Sequence, residues 1–295
     1  MQKVRLVHDA TPVVRLRFFG VDVAVSCTRR DVDDLDFLYG SFLTDDASFD
    51  PAIHVTLKCS EWPSRGFFTS LLAKDRLLKS IEVEPLHVDA RLGRSSFREW
   101  STIPSPFPPL FHSRLWSSIA TTPGALVQTG SGQRIFIVGE NYVGKTALAL
   151  ALCRRGARLV TDNITSIDTQ TGRVLTYETP LGFRRQSLLD HLPVFDRHPH
   201  RTTVSPDTGL VGLLSPSSVL GFANAPGGRI ARLVVLRSGE SETMRQEPAP
   251  QLPWFTGVEG FDQRDYLPDE ALVVTVKKGT PPDDIAALIE NRFVE

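Results

Sequence analysis

The first part of the chain alternates apolar and polar residues in a way that predicts strands on either side of a helix. Residues 13–25 alternate around Gly20, which predicts two short strands joined by a turn. Residues 31–42 begin with acids and continue with apolar residues at helical spacing, which predicts a helix. Ile53–Lys58 alternates again, as in a half-buried strand. These elements predict a small N-terminal α/β domain.

A proline-rich stretch follows this pattern. Four prolines lie between residues 103 and 109, and proline continues neither a helix nor a central strand. We therefore expect a linker here, which separates an N-terminal α/β domain at residues 1–109 from a second domain at residues 110–295.

The second half of the chain alternates strand and helix patterns, which predicts the α/β class. Helices are expected at residues 113–120, 147–153 and 285–293, and strands at residues 125–127, 135–138, 157–163, 230–236 and 271–276. Residues 164–168 and 173–177 predict a hairpin.

The octet at residues 139–146 reads Gly-Glu-Asn-Tyr-Val-Gly-Lys-Thr, which is a complete G-x-x-x-x-G-K-[ST] phosphate loop between a predicted strand and a predicted helix. In this motif the backbone N–H groups and the helix N-terminus face the phosphates, the lysine reaches the terminal phosphates, and the threonine hydroxyl binds Mg²⁺. We therefore predict that the chain binds ATP and Mg²⁺. The predicted nucleotide-binding residues are Gly139, Glu140, Asn141, Tyr142, Val143, Gly144, Lys145, Thr146 and Ala147.

Besides the threonine hydroxyl, an acidic residue near the terminal phosphate is expected to hold the metal. Asp162 ends the strand that follows the loop helix, so the chain can return it to the loop, where we expect it to face a solvated cleft. Asp168, at the end of the next strand, is the competing acid. The predicted metal ligands are Thr146 and Asp162, and the predicted catalytic residues are Asp162, Lys145 and Asn163.

The composition of the chain limits which partners and which cellular location we expect. The chain has 295 residues, 41% of them hydrophobic and 23% charged, with a formal net charge of −1. A neutral chain attracts neither nucleic acid nor a membrane surface, so we expect neither partner. Its three cysteines share no metal-ligand spacing and suit a reducing compartment. No secretory signal and no run of about 20 apolar residues is present, so we expect a cytoplasmic protein.

Two further clusters carry weaker signals. His191, His198 and His200 lie among arginines in a polar stretch broken by proline, which predicts an exposed loop; an alternative is a loop that binds phosphate or an acidic substrate. The spacing of these histidines matches no standard zinc site. Trp254 and Phe255 fit either core packing or an aromatic wall for a peptide or base.

The stretch GENYVGKTALALALCRRGARLVTDNI, residues 139–164, resembles the HPr kinase/phosphorylase family, in which a phosphate loop and an Ala/Leu helix precede R-G-x-x-L-V-x-D-D. Residues 155–162 match that pattern position by position. The resemblance implies a P-loop-containing, phosphoenolpyruvate-carboxykinase-like catalytic domain, and ATP-dependent phosphorylation of a hydroxyl, typically a serine on a protein or peptide. It also implies assembly into a ring or a dimer.

The chain departs from this family in three places. The second aspartate of the family pattern is Asn163, which cannot take a proton. A His-Gly pair upstream of the loop is replaced by Gly124-Ala125, and the later signature R-G-L-G-I-I-N is only faintly echoed by residues 208–214. Asp162 is therefore left to hold the metal and to act as base, or the chain has no base.

The sequence thus predicts an ATP-dependent kinase that acts on a hydroxyl of a peptide, a protein or a natural-product intermediate, with peptide modification ranked first. The alternative is a nucleotide-binding regulator or partner protein without phosphoryl transfer, and a nucleotide-hydrolysing switch is a third class. The N-terminal domain would select the substrate.

Overall fold

The computed structural model describes residues 12–27, 29–58, 87–90, 93–96, 117–205 and 209–294. The chain divides into two compact units. The first unit comprises Met1–His112 and Pro180–Ser218, and the second comprises Ser113–Thr179 and Val219–Glu295. The predicted linker at residues 103–109 lies outside the described residues.

In chain order the strands are β1 Val13–Phe18, β2 Val21–Ser26, β3 Ile53–Lys58, β4 His87–Ala90, β5 Gly93–Ser96, β6 Ile119–Pro123, β7 Ala125–Gln128, β8 Arg134–Gly139, β9 Arg158–Thr161, β10 Ile164–Asp168, β11 Arg173–Leu175, β12 Leu181–Arg184, β13 His200–Ser205, β14 Gly209–Leu214, β15 Arg232–Gly239, β16 Thr243–Pro248, β17 Phe255–Thr256 and β18 Glu270–Lys277. The α-helices are α1 Arg29–Tyr39, α2 Lys145–Arg154, α3 Arg185–Asp190, α4 Leu192–Phe195, α5 Pro216–Leu220 and α6 Pro282–Val294, with 3₁₀ turns at Gly40–Phe42 and Gln263–Asp265.

The first unit contains a five-stranded sheet in the order β1-β2-β3-β4-β5 and a three-stranded sheet in the order β12-β14-β13. The predicted β1–β2 hairpin, α1 and β3 are confirmed. The guanidinium of Arg201 lies 5.2 Å from the centre of the Phe37 ring, so β13 contacts α1 within this unit. Residues 180–218 therefore belong with the N-terminal part, which differs from the predicted division at residue 109.

The second unit contains a six-stranded sheet in the order β16-β18-β15-β8-β7-β9 and a four-stranded sheet in the order β11-β10-β6-β17. β8, β15 and β18 are parallel neighbours. Ile135, Phe136, Ile137 and Val138 of β8 are all buried, as expected for a strand covered on both faces. The α/β class predicted from the sequence is confirmed, and α6 packs against α2, the helix after the phosphate loop.

One predicted helix of the second unit is wrong. Residues 113–116 lie outside the described part of the chain, and residues 119 and 120, predicted as helical, begin strand β6. β6 pairs antiparallel with β10, from Ile164 opposite Pro123 to Asp168 opposite Ile119. Its β-branched residues fit a pleated, buried surface better than a helix, and pairing with β10 outweighs the helical pattern. The predicted hairpin of β10 and β11 and the final helix are confirmed. In the described residues no helix is long and apolar enough to cross a membrane.

Candidate functional site

The phosphate loop lies between the central strand β8 and helix α2, as the sequence predicts. β8 ends at Gly139, and α2 begins at Lys145 after Gly144, which has a left-handed φ of 107°. Residues 148–153 of α2 are all buried in the second unit. The packed strand and the packed helix thus fix both ends of the loop, and the helix N-terminus with its partial positive charge opens onto it.

Position 139 has room only for glycine, because the backbone of the next strand lies too close for a side chain. Its φ is 146°, and a Cβ atom at this position would lie 2.3 Å from the carbonyl oxygen of Leu236. Leu236 is the parallel β15 partner of Gly139, so the clash is with a fixed backbone. Any larger residue would push β8 from β15 at the point where the loop begins.

Lys145 folds back over the loop. Its Nζ donates hydrogen bonds to the carbonyl oxygens of Gly139 at 3.0 Å and Glu140 at 2.7 Å. Burial lowers the pKa of this ammonium, and the charge of Asp162 partly opposes that effect. Lys145 is therefore a half-buried cation in contact with two neutral carbonyls, and a phosphate would favour its charged form.

Thr146 and Asp162 are in direct contact. The Thr146 hydroxyl lies 3.0 Å from Oδ1 and 3.0 Å from Oδ2 of Asp162, to which it donates. Asp162 follows β9, whose pairing with β7 brings it to this end of the sheet. Only 6% of Asp162 is exposed, so the expectation that its carboxylate faces a solvated cleft is wrong. The two predicted metal ligands lie together in a largely buried place.

The donor set fits Mg²⁺ in one respect. A hydroxyl and a carboxylate are hard oxygen ligands, and Mg²⁺ often takes one or two protein groups while phosphates and water complete its six positions. No group of three or more His, Cys, Asp or Glu residues that could hold a metal occurs in the described residues. Thr146 and Asp162 could therefore hold a metal that arrives with a nucleotide.

Asp168, the competing acid, has a different role. Its Oδ1 accepts hydrogen bonds from the backbone N–H groups of Gln170 at 2.8 Å and Thr171 at 3.2 Å. These bonds close the turn between β10 and β11, which is a common use of aspartate in a tight turn. Its contacts therefore account for Asp168 as a turn residue.

Asn163 sits in the turn directly after Asp162. It has a φ of 65°, which asparagine tolerates better than most residues, and its carbonyl oxygen accepts from the N–H of Gly124 at 3.0 Å. The N–H of Ile164 donates to the carbonyl of Asp162 at 2.8 Å, which tightens the turn. The backbone of Asn163 thus helps to hold Asp162 at the strand end.

Glu178 was not predicted from the sequence as a site residue. It is half-buried, and burial raises the pKa of its carboxyl. The preceding residue, Tyr177, accepts a hydrogen bond from the Thr161 hydroxyl at 3.2 Å through its carbonyl oxygen, so Glu178 follows a residue that contacts the end of β9. Nothing in the sequence pattern marks it, because this contact joins residues of two separate segments.

The histidine cluster is only partly the exposed loop that the sequence predicts, since residues 196–199 are exposed between α4 and β13 while two of the three histidines pack against aromatic rings. His191 lies between helices α3 and α4, its ring centre is 4.2 Å from that of Phe183, and its Nδ1 is 2.8 Å from the carbonyl oxygen of Ser187. His200 begins β13, with its ring centre 5.3 Å from that of Phe195. These rings pack in the first unit, whereas His198 is exposed.

Trp254 and Phe255 differ in burial. Trp254 packs against the core of the second unit, and its Nε1 donates to Oε1 of Gln263 at 3.1 Å. Phe255 is 49% exposed and lies in β17, opposite Thr121. Core packing therefore accounts for Trp254, while Phe255 remains at the surface.

Comparisons with known proteins identify no family. No protein-family model matches the chain, and no curated protein matches it. Among solved structures, the Hpr(Ser) kinase/phosphatase from Coxiella burnetii is similar at 15% sequence identity and a TM-score of 0.32, with an alignment that covers 59% of this chain and 96% of that chain. A TM-score this low supports no conclusion about fold or function.

Proposed function

We propose that this protein is an ATP-dependent kinase that transfers the γ-phosphoryl group to a hydroxyl of a peptide, a protein or a natural-product intermediate. The observation that carries the proposal is the contact between the Thr146 hydroxyl and both carboxylate oxygens of Asp162, at 3.0 Å each. It brings the last residue of a phosphate loop together with an acid that directly follows β9, and nucleotide-dependent phosphoryl transfer uses a hydroxyl and a carboxylate in this way to hold Mg²⁺.

The loop supplies the binding of the phosphates. The backbone N–H groups of residues 139–147 and the N-terminus of α2 would surround the anion, and Lys145 would exchange its two carbonyl contacts for phosphate oxygens. Phosphate binding would favour the charged form of Lys145, which burial disfavours. Thr146 and Asp162 would hold Mg²⁺, which when bound neutralises charge that develops on the transferred group.

Asp162 is the residue that we assign to accept the proton from the acceptor hydroxyl. The acceptor hydroxyl must lose a proton as the phosphoryl group arrives, and Asp162 is the carboxylate in contact with Thr146. Asn163 can donate or accept a hydrogen bond but cannot take the proton. Because phosphoryl transfer has a loose transition state, positioning and charge neutralisation contribute more than a base does. The loss of a second acid at Asn163 is therefore compatible with transfer.

The sequence resemblance supports the same proposal. Residues 155–162 match the HPr kinase/phosphorylase pattern, and Asp162 of that stretch is the residue that contacts Thr146. We extend the proposal to a phosphoenolpyruvate-carboxykinase-like catalytic fold in the second unit, with the N-terminal part as the substrate-selecting region. A peptide is the acceptor that we rank first.

One observation favours a second function, a nucleotide-binding regulator or partner without transfer. Asn163 stands where the resembling family has an acid, and its backbone serves a turn. The protein would then bind Mg²⁺-ATP through the same residues and would not turn it over onto an acceptor.

The test is transfer from γ-labelled ATP to a panel of peptides encoded near this gene, with Lys145→Ala as the inactive control and Asn163→Asp beside the natural chain. We expect label on a cognate acceptor with the natural chain and none with Lys145→Ala. Tight ATP binding without transfer to any acceptor would contradict the kinase. Transfer only after Asn163→Asp would establish the non-catalytic alternative.

A further inference from the structure

Asp162 lies at a corner where the chain leaves one sheet for another. β9 belongs to the six-stranded sheet and β10 to the four-stranded sheet, and the two residues between these strands are Asp162 and Asn163. Residues between two strands lie outside the regular hydrogen-bond ladders of both. The position of the Asp162 carboxylate therefore depends on the bonds that close the corner.

Backbone bonds close part of this corner. The N–H of Ile164 donates to the carbonyl oxygen of Asp162 at 2.8 Å, and the N–H of Gly124 donates to the carbonyl oxygen of Asn163 at 3.0 Å. Gly124 itself lies between β6 and β7, which pair with β10 and β9. Two corners of the chain thus lie side by side next to Asp162.

A further bond comes from the side chain of Thr161, the last residue of β9. Its hydroxyl donates to the carbonyl oxygen of Ile164 at 2.7 Å, and the carbonyl oxygen of Tyr177 accepts from it at 3.2 Å. Pro123, which lies opposite Ile164 in β6, has no N–H and cannot satisfy the Ile164 carbonyl. The Thr161 hydroxyl thus spans the corner and joins it to a second segment of the chain.

Burial makes this hydroxyl hard to replace. Thr161 is fully buried, and Ile164 and Tyr177 are 2% and 1% exposed. When a buried carbonyl loses its donor, solvent replaces the bond poorly, so the carbonyl stays unsatisfied or the backbone shifts. A shift at this corner moves Asp162, because Asp162 directly follows Thr161 in the chain.

We propose that Thr161 is a positioning residue: its hydroxyl fixes the corner so that the Asp162 carboxylate meets the Thr146 hydroxyl and holds Mg²⁺ with it. This inference rests on the proposed function and deepens it. It assigns the orientation of a metal ligand to a hydroxyl that is bonded to the backbone, and a residue that orients a metal ligand affects metal binding without contacting the metal.

Matched variants separate the hydroxyl from the fold. Thr161→Val keeps the β-branched shape and removes the hydroxyl, whereas Thr161→Ser keeps the hydroxyl. Thr122→Val is the control, because Thr122 is also fully buried and its hydroxyl donates to the carbonyl oxygen of Pro253 at 3.0 Å, which is not part of the corner. Urea unfolding of each full-length variant shows whether it folds and how much stability it loses.

Calorimetric titration with ATP, in EDTA and in Mg²⁺, measures how far the metal raises the affinity for ATP. We expect Thr161→Val to bind ATP in Mg²⁺ about tenfold to a hundredfold more weakly than the natural chain, the range for loss of a residue that orients a metal ligand. In EDTA its affinity should stay within about twofold, since the phosphate loop is intact. Thr161→Ser and Thr122→Val should bind as the natural chain does under both conditions.

A double variant tests whether Thr161 acts through Asp162. Asp162→Asn removes the carboxylate that Thr161 positions, so adding Thr161→Val to it should weaken ATP binding in Mg²⁺ by no more than about twofold further. If Thr161→Val had its full effect in the double variant as well, Thr161 would act independently of Asp162, and the inference would be overturned.

Other results would also overturn the inference. Equal weakening of ATP binding in EDTA and in Mg²⁺ would mean that Thr161 supports the phosphate loop as a whole. The same loss in Thr122→Val would mean that the effect is common to buried hydroxyls of this unit. In both cases nucleotide binding itself survives.

Two outcomes need separate treatment. If Thr161→Val did not fold, Thr161→Ser and Thr161→Ala would be compared, because these variants differ from each other only in the hydroxyl; an equal effect of Mg²⁺ on both would overturn the inference. If the natural chain bound no ATP, or bound it no better in Mg²⁺ than in EDTA, the proposed function would fail together with the inference.

Discussion

The Thr146 hydroxyl donates to both carboxylate oxygens of Asp162 at equal distances of 3.0 Å. Thr146 lies in the first turn of α2 and Asp162 directly follows β9, so the contact forms only when the helix and the strand pack together. A hydroxyl centred on a carboxylate is the arrangement into which a divalent cation with bound phosphates can enter, because both groups are oxygen ligands.

Asp162→Asn should yield a folded protein that binds ATP and has lost transfer. The amide keeps the size of the carboxylate and can still accept from Thr146, and it removes a charge from a residue that is only 6% exposed. The affinity for ATP without metal should stay near that of the natural chain, while the gain on adding Mg²⁺ should largely disappear. Turnover should fall roughly a hundredfold or more.

Asp168→Asn is the matched control, since Asp168 closes the turn between β10 and β11. Titration with ATP in the presence of Mg²⁺ or EDTA, together with transfer rates, should distinguish the two variants. If Asp168→Asn abolished transfer and Asp162→Asn did not, the metal site would be misassigned.

Gly139→Ala and Gly144→Ala should destabilise the protein to different degrees. A Cβ at Gly139 would lie 2.3 Å from the carbonyl oxygen of Leu236, whereas a Cβ at Gly144 meets no atom within 4 Å and suffers only from its φ of 107°. We expect the free energy of unfolding to fall by roughly 3 kcal/mol for Gly139→Ala and by roughly 1 kcal/mol for Gly144→Ala.

Urea unfolding of both variants measures this difference. Equal losses would mean that β8 and β15 can separate at the start of the loop, contrary to the parallel pairing of Gly139 with Leu236.

The free energy of unfolding of the ligand-free protein should depend on pH through Glu178 at pH values above 4.5, the ordinary pKa of glutamate. Burial raises the pKa of Glu178 above its ordinary value of 4.5, so the folded state holds this proton more tightly than the unfolded state. The contribution of Glu178 to the free energy of unfolding should therefore fall as pH rises from 4.5 through the raised folded pKa, and then level off.

Glu178→Gln removes that titration and retains the size of the side chain. The difference in free energy of unfolding, variant minus natural chain, should be constant below pH 4.5. It should rise as the pH passes from 4.5 through the raised pKa of Glu178 in the folded state, and become constant again above that pKa. Urea unfolding at a series of pH values without nucleotide or metal measures it. A difference that does not change with pH would contradict the raised pKa.

Cys153 should resist alkylation in the folded protein. It is buried in α2, and burial raises the pKa of its thiol from 9.0 to about 12. At pH 8 its thiolate fraction is on the order of a thousandfold smaller than that of an ordinary thiol, and the thiolate is the reactive species. Iodoacetamide followed by peptide mass spectrometry should label Cys153 only after denaturation; rapid labelling of the native chain would contradict this.

The sequence by itself determined the local elements of the second unit. A complete phosphate-loop octet between an apolar run and an Ala/Leu run specifies strand β8, the loop and helix α2, because spacing and glycine positions act over a few residues. The hairpin of β10 and β11 follows from the same kind of local pattern. The strand β6 was not predicted from the local pattern, because its pairing with β10 involves residues far apart in the chain.

The choice between Asp162 and Asp168 was made by the tertiary structure. Both acids end a strand, so the sequence only ranks them, whereas pairing of β9 with β7 brings Asp162 to Thr146 and the β10–β11 turn binds Asp168. The return of residues 180–218 to the first unit and the burial of Glu178 were likewise invisible in the sequence. Each depends on which distant segments come together, and side-chain contacts and burial exist only after that packing.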